Sequence, residues 1–461
     1  MNESGGVDFK REDLEEARAA FEQAHPEFRT TRKLDDLRAR EYARLDALRH
    51  TYLDYTGGGL YADSQLRQHK ELLLGGVFGN PHSSNPTSEA MTRLIEQCRR
   101  HVLDFFSASI KEYLVIFTAN ATTALKLVGE SYPFGPGDHY LLTFDNHNSV
   151  NGIREFDRVR GASTSYVPVV PPEMRVEEAE LERLLRLARP GGHNLFAYPA
   201  QSNFSGVQHP LEWISKARAK GWDVLVDAAA FVPTNCLDLS RWHPDFVALS
   251  FYKMFGYPTG VGALIARREA LGKLHRPWFS GGTITVASVQ ADRHYLAEGE
   301  AAFEDGTLNY LSLPAVDIGL RHLESIGLDT IHRRVRCLTD WLTEELLGLH
   351  HRNGKPLIHL YGPASTEWRG GTITVNFYDS AGQVIDHRRI EEMASRVNIS
   401  LRTGCFCNPG AGEMALGLSK AELAACFSSQ SRLTLDDFRM CIDDKSTGAV
   451  RISVGMVTNL A

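Results

Sequence analysis

Lys253 lies in the run Ala248-Leu249-Ser250-Phe251-Tyr252-Lys253-Met254-Phe255-Gly256, and upstream of it Asp227 ends the apolar run Trp222-Asp223-Val224-Leu225-Val226-Asp227. A carboxylate at the end of a strand can sit under a pyridine nitrogen and keep it protonated, so that the ring withdraws electrons from a substrate carbon. A lysine in the next strand-and-loop unit can hold that ring as a Schiff base. The pair suggests a pyridoxal phosphate site. Taken alone, a strand-terminal Asp and a loop Lys are common surface residues, so the reading depends on what accompanies them.

Companions stand at other strand ends. Val115-Ile116-Phe117-Thr118 reads as a strand and Asn120-Ala121-Thr122-Thr123-Ala124-Leu125-Lys126 as a helix start. Free backbone N–H groups there, with threonine hydroxyls, make an anion site suited to a phosphate. Ser250 offers another hydroxyl. His147 follows the apolar stretch 140–144 and could stack on the ring face. Asn203 follows the stretch 194–198 and could hydrogen-bond the cofactor's phenolic oxygen.

The elements that must position these residues alternate. Apolar stretches at 113–118, 140–144, 165–170, 194–198, 224–226, 246–250 and 263–266 are separated by turns and helices. Such alternation predicts a mainly parallel sheet covered by helices, with ligands at the carboxyl ends of its strands. Ahead of it, residues 9–50 read as two amphipathic helices, and a long helix is expected over 87–106. Beyond about residue 320 the expectation is helices at 314–326 and 329–348, a strand at 371–377, a helix at 386–397, a loop at 402–412, further helices and a last strand at 449–454. The domain expectation is N-terminal helices over 1–50 packing with a small domain, a large domain over 51–320 and a small α+β domain over 321–461.

At 461 residues, with 43% hydrophobic and 23% charged residues, the composition is that of an ordinary globular protein. A net charge of −7 argues against nucleic acid or an anionic membrane as partner. Residues 1–10 are polar, without an apolar stretch of signal-peptide length, and no stretch reaches a membrane span. The expectation is a cytoplasmic enzyme. Seven cysteines scattered over the chain are not a disulfide framework, and most are expected to be small buried hydrophobes. Cys405-Phe406-Cys407 lacks a second pair, so no metal site is expected, and its Asn-Pro-Gly-Ala-Gly sequel predicts an exposed loop.

An ordered series of motifs goes further: Phe78-Gly79-Asn80-Pro81-His82-Ser83, Ile116-Phe117-Thr118, Asp145-Asn146-His147, Phe251 through Gly260, Phe303-Glu304-Asp305-Gly306-Thr307, and Arg402-Thr403-Gly404-Cys405-Phe406-Cys407-Asn408-Pro409-Gly410. In these the chain, over 52–457, resembles a class V aminotransferase-fold enzyme of the cysteine desulfurase group. Within that group it is similar to the amino-terminal desulfurase-like domain of eukaryotic molybdenum cofactor sulfurases. The resemblance implies an α/β fold, the fold type I of pyridoxal phosphate-dependent transferases, with a large domain of mainly parallel sheet and a smaller α+β domain. It implies Lys253 as the Schiff-base lysine, Asp227 as the pyridinium partner and His147 as the stacking ring. Asn203 would lie near the phenolic oxygen and the substrate, with Thr122 and Ser250 on the phosphate. Thr307 would reach the neighbouring subunit's phosphate, which implies a homodimer with shared sites. Arg402 would hold the substrate α-carboxylate, and Cys407 would take the sulfur.

The implied reaction removes sulfur from L-cysteine as a persulfide on Cys407, releasing alanine, for delivery to an acceptor protein or small molecule. Three departures bear on the substrate. Ala230 stands where desulfurases often have Gln, Tyr252 replaces the usual His before the lysine, and Asp54-Tyr55-Thr56-Gly57 stands where the sulfurase pattern is Asp-His-Ala-Gly. The chain ends at Ala461, from which the expectation is that it lacks the carboxy-terminal, molybdenum-cofactor-binding domain of longer relatives. Two alternatives stay open. One is a carbon–sulfur lyase, epimerase or aminotransferase of the same fold, for which Cys407 would be dispensable. The other is a binding protein with a degenerate site, which would have no need of a complete electron sink.

Overall fold

The computed structural model describes residues 11–429, 432–434, 437–438, 441–442 and 446–460. The polar start over 1–10 and part of the helical stretch expected after residue 412 lie outside the described residues.

The seven apolar stretches form one sheet. Its strands are β1 (Tyr113–Thr118), β2 (His139–Thr143), β3 (Ser163–Val167), β4 (Asn194–Pro199), β5 (Asp223–Asp227), β6 (Phe246–Ser250) and β7 (Gly262–Arg267). The spatial order is β1-β7-β6-β5-β4-β2-β3, with β7 antiparallel to both neighbours and every other pairing parallel. The inner strands are mainly apolar because both faces are covered, whereas the edge strand β3, Ser163-Thr164-Ser165-Tyr166-Val167, is polar and mostly half-buried. Alternate residues go to opposite cores: Val115, Phe196, Val224 and Leu249 to one, Ile116, Leu195, Leu225 and Ala248 to the other.

Helices cover those faces by their own patterning. The helix expected over 87–106 is Pro86–Phe105 (α1 here), started by Pro86 and by Asn85, whose side chain accepts a hydrogen bond from the Ser88 N–H at 3.0 Å. Met91, Ile95, Cys98 and Val102 form its buried stripe. After β1, α2 (Ala121–Ser131) runs back over the sheet, capped by Asn120 through the Thr123 N–H.

Further on, α3 (Leu313–Ile326) and α4 (Leu328–Gly348) precede an antiparallel sheet of β8 (Ile358–Tyr361), β9 (Thr372–Phe377), β10 (Arg402–Gly404) and β11 (Ala449–Ser453), in the order β8-β9-β11-β10. The N-terminal stretch is more broken than the two helices expected: Arg11–Ala24, a 3₁₀ turn at Pro26–Thr31, Lys33–Glu41 and Arg44–Ala47. It is held to α4 by Arg334. That buried guanidinium donates to the Thr31 carbonyl at 2.9 Å, the Thr31 hydroxyl at 2.8 Å and Asp35 at 2.8 Å, and stacks on Phe28.

Two further expectations are corrected, and one element is new. The loop at 402–412 is mostly regular, a strand followed by a helix at Pro409–Ala415, leaving only a short turn between them. The cysteines are more varied than small buried hydrophobes: Cys426 and Cys441 form a disulfide, Cys98 and Cys337 are buried, and Cys236, Cys405 and Cys407 are exposed. An exposed hairpin, Ile284–Ser288 with Arg293–Leu296, was not foreseen.

Candidate active site

The carboxyl ends of the parallel strands meet at one cavity of about 400 Å³. The turn after β1 and the start of α2 contribute Asn120 and Thr122. Beyond β2 come Asp145, His147 and Ser149; beyond β4, Gln201 and Asn203; at the end of β5, Asp227; and at and after β6, Ser250, Tyr252 and Lys253. Six of the residues singled out from the sequence, Lys253, Asp227, His147, Asn203, Thr122 and Ser250, therefore line the same space. Strand ends deliver them there because six of the seven strands of the large sheet run the same way.

One end of the cavity is built for an anion. The Thr122 and Ser149 hydroxyls lie 2.7 Å apart, and Ser250 Oγ accepts a hydrogen bond from the Ala121 N–H at 3.0 Å, all at the N-terminal turn of α2. Gly262 permits this arrangement, since a Cβ there would lie 2.6 Å from the Asn120 backbone. At the other end the Lys253 amine donates to Asn203 Oδ1 at 3.3 Å. Burial pushes that amine down to about 8, against the pull of the Asp227 carboxylate, with Arg451 adding to the depression. Asp227 is fixed by the Ala229 N–H on Oδ1 at 3.0 Å. His147 is also shifted down by burial, which favours a neutral ring, and its Nδ1 is engaged by Ser149.

These groups match pyridoxal phosphate in their chemistry. A nucleophilic amine, a carboxylate, a neutral aromatic ring and a hydroxyl-lined helix start share a cavity of the size small cofactors occupy. Among the described residues no group of three or more His, Cys, Asp or Glu could hold a metal ion.

Two arginines flank this cavity. Arg402 on β10 pairs with Asp54, Nη2 to Oδ2 at 2.6 Å and Nε to Oδ1 and Oδ2 at 3.1 and 3.0 Å. Arg451 on β11 donates to the other side of the same carboxylate at 3.1 Å and to the Asn203 carbonyl at 2.9 Å, while its Nε is buried without a partner among the described residues. Burial pushes Arg451 down to about 10, with Asp54 opposing. Sequence reasoning passed over Arg451, although a lone arginine inside the apolar strand Ala449-Val450-Arg451-Ile452 was a usable signal, because such a charge is rarely buried without a task.

The cysteine turn is pinned to the rim of the cavity. The Phe406 carbonyl accepts from Asn203 Nδ2 at 2.9 Å, the Cys407 carbonyl from the Asn148 N–H at 2.7 Å, and Asn408 Nδ2 donates to the Asp145 carbonyl at 2.9 Å. Phe406 and Cys407 both sit at positive φ, 56° and 55°, a conformation held only where the surroundings impose it. Gly410 serves close packing, since a Cβ there would fall 2.1 Å from the Phe144 carbonyl oxygen, whereas Gly404 supplies the positive φ of 108° in open space. The Cys407 side chain is exposed and near enough to Arg451 to influence its charge. Thr307 is apart from the rest. It lines a neighbouring cavity with Thr123, Lys126 and Asp305, and Gly260 forms part of both walls.

Comparison with known proteins gives three findings. The aminotransferase class-V family model matches residues 51–457. The molybdenum cofactor sulfurase of Solanum lycopersicum is 37% identical over 457 residues, covering 93% of this chain and 55% of that protein, and that of Bos taurus is 38% identical over 451 residues, covering 93% and 50%. The chain thus spans about half the length of these relatives. Among solved structures, the apo cysteine desulfurase of Thermococcus onnurineus has the same fold, with a TM-score of 0.75 at 24% identity over 92% of this chain and 94% of that one.

Proposed function

The chain belongs to the class-V aminotransferase family, and on that premise we propose that it is a pyridoxal phosphate-dependent cysteine desulfurase, taking sulfur from L-cysteine onto Cys407 and releasing alanine. The observation that carries this reading is the tie between the two halves of the chemistry: residues 406–408 are hydrogen-bonded to the loops that present Asn203, His147 and Asp145 to the cavity. The backbone that carries Cys407 is thereby tied to the loops of a site suited to activating an amino acid.

When bound, pyridoxal phosphate supplies the electron sink for the substrate's α-carbon. Lys253 would hold the cofactor through its amine, and the same amine would take the substrate's α-proton and return it to carbon. Asp227 would hold the pyridine nitrogen, His147 the ring, Asn203 the phenolic oxygen, and Thr122 and Ser250 the phosphate. Arg402 and the buried Arg451 bind the substrate carboxylate. Cys407, as thiolate, attacks the substrate sulfur: the carbon–sulfur bond breaks, a sulfur–sulfur bond forms, and carbon takes a proton to give alanine. The persulfide then passes to an acceptor protein or small molecule.

The same reading makes the enzyme a cytoplasmic homodimer in which Thr307 completes the partner's phosphate site. It divides the chain into N-terminal helices over 1–50, a cofactor domain over 51–320 and a small domain over 321–461. No helix among the described residues is long and apolar enough to cross a membrane.

The test is to incubate the cofactor-loaded protein with L-cysteine and measure alanine and protein-bound persulfide. Cys407→Ala is expected to bind cofactor and cysteine normally yet lose the persulfide and nearly all alanine release, with Cys405→Ala far milder. Full turnover by Cys407→Ala would reject desulfuration and favour a lyase, epimerase or aminotransferase.

A further inference from the structure

The guanidinium groups assigned to the substrate carboxylate already hold one. Arg402 spends its Nε–Nη2 edge on Asp54, one of the two edges with which a guanidinium can grip a carboxylate by two parallel bonds, and Nη2 belongs to both edges. Arg451 completes the carboxylate's coordination from the other side. Two guanidinium groups against one carboxylate leave one positive charge beside Lys253, so the cluster still attracts an anion.

The three partners are not equally fixed. Asp54 bridges to Ser453, and its carbonyl accepts from the Gly57 and Gly58 N–H groups at 3.0 and 3.1 Å. Its carboxylate is packed on Gly57 so closely that a Cβ there would come within 2.5 Å. Arg451 is 1% exposed, on an inner strand of its sheet. Arg402 is on the edge strand with its side chain 50% exposed. Of the three, Arg402 is the group free to swing. Breaking its pair returns a half-exposed guanidinium to water and leaves the buried Asp54 its bond to Arg451, at a cost of about one partly screened charge-assisted pair, whereas Arg451 cannot leave Asp54 without stranding a buried charge.

We propose that Asp54 is an internal stand-in for the substrate carboxylate: it holds the fork of Arg402 and gives it up only to a ligand that brings an α-carboxylate of its own. Asp54 then acts as a specificity-determining residue, making every substrate compete with it. This also gives a task to the first residue of the Asp54-Tyr55-Thr56-Gly57 motif. The inference rests on the reading of Arg402 given under Proposed function.

The experiment is isothermal titration calorimetry of the cofactor-loaded protein with L-alanine, which carries the carboxylate but no sulfur, and with ethylamine, which carries neither. Asp54→Asn is expected to bind L-alanine about tenfold more tightly, the scale of one charge-assisted pair partly open to water, with ethylamine binding unchanged. Unchanged or weaker L-alanine binding, or an equal gain for ethylamine, overturns the proposal. Asp54→Ser is read by the same criteria should the asparagine variant fail to fold. Arg402→Ala separates the two levels. If it binds L-alanine as the parent does, the carboxylate assignment of Arg402 itself falls. If it binds more weakly while the Asp54 variants show no gain, only the competition is rejected.

Discussion

Lys253 needs a neutral amine to take up a carbonyl cofactor, and its surroundings supply one. Burial brings it from 10.5 to about 8 while Asp227 pulls the other way. Uptake of pyridoxal phosphate by cofactor-free protein, followed by visible absorbance, is therefore expected to rise with pH to a midpoint near 8. Asp227→Asn removes the group that favours the protonated amine, so its midpoint should lie lower. A parent midpoint near that of an ordinary lysine, or an upward shift in the variant, would contradict this account. Lys253, Asp227, His147 and Asn203 were legible from the sequence because each follows an apolar strand of a parallel sheet, where position along the chain predicts position in the site. The pairing of Asp54 with Arg402 and Arg451 was not. It joins a residue bridged to the edge of the small sheet with two of that sheet's strands, 348 and 397 positions further along the chain, and no local pattern encodes such a contact.

At the scale of elements, Glu304 joins the chain ahead of Thr307 to the sheet. Its carboxylate accepts from Arg99 on α1 at 2.8 and 3.2 Å and from the Phe117 N–H on β1 at 2.8 Å, and both side chains of the ion pair are 9% exposed. Glu304→Gln keeps an acceptor for Phe117 but removes the buried carboxylate, leaving the guanidinium only the more exposed Glu96 at 3.3 Å as an anionic partner. It should lower stability by about 3–5 kcal/mol in denaturant unfolding, whereas replacing both partners with apolar residues should recover most of the loss. A loss within ±0.5 kcal/mol, typical of surface substitutions, would show that the pair does not hold this junction. Strands and helices with two buried faces or a clear apolar stripe were readable within a few residues. The hairpin at 284–296 was not, because its strands pair only with each other and stay exposed, so burial imposes no alternation on them. Nor was β8, a short edge strand whose pattern Ile358-His359-Leu360-Tyr361 is interrupted by an exposed histidine.

For the whole molecule, the position of Thr307 poses a question that a single chain does not answer. Its hydroxyl lies within 3.4 Å of Asn80 Nδ2, in a cavity next to the one holding Lys253, so it does not serve its own chain's phosphate end. The proposed homodimer resolves this by letting each subunit lend Thr307 to the other. Thr307→Ala should then weaken pyridoxal phosphate binding about tenfold, the scale of one hydrogen bond to a charged group. The loss should be repaired in trans. Mixed with Lys253→Ala under conditions that exchange subunits, it forms hybrid dimers in which one site combines an intact Lys253 with the intact Thr307 of the other subunit. Tight binding and cysteine turnover should reappear in the mixture, though neither variant has both alone. A fully active monomer in sedimentation and dilution, or a mixture no better than its parts, would mean that each chain builds its site from its own residues and that Thr307 serves only the packing around Asn80.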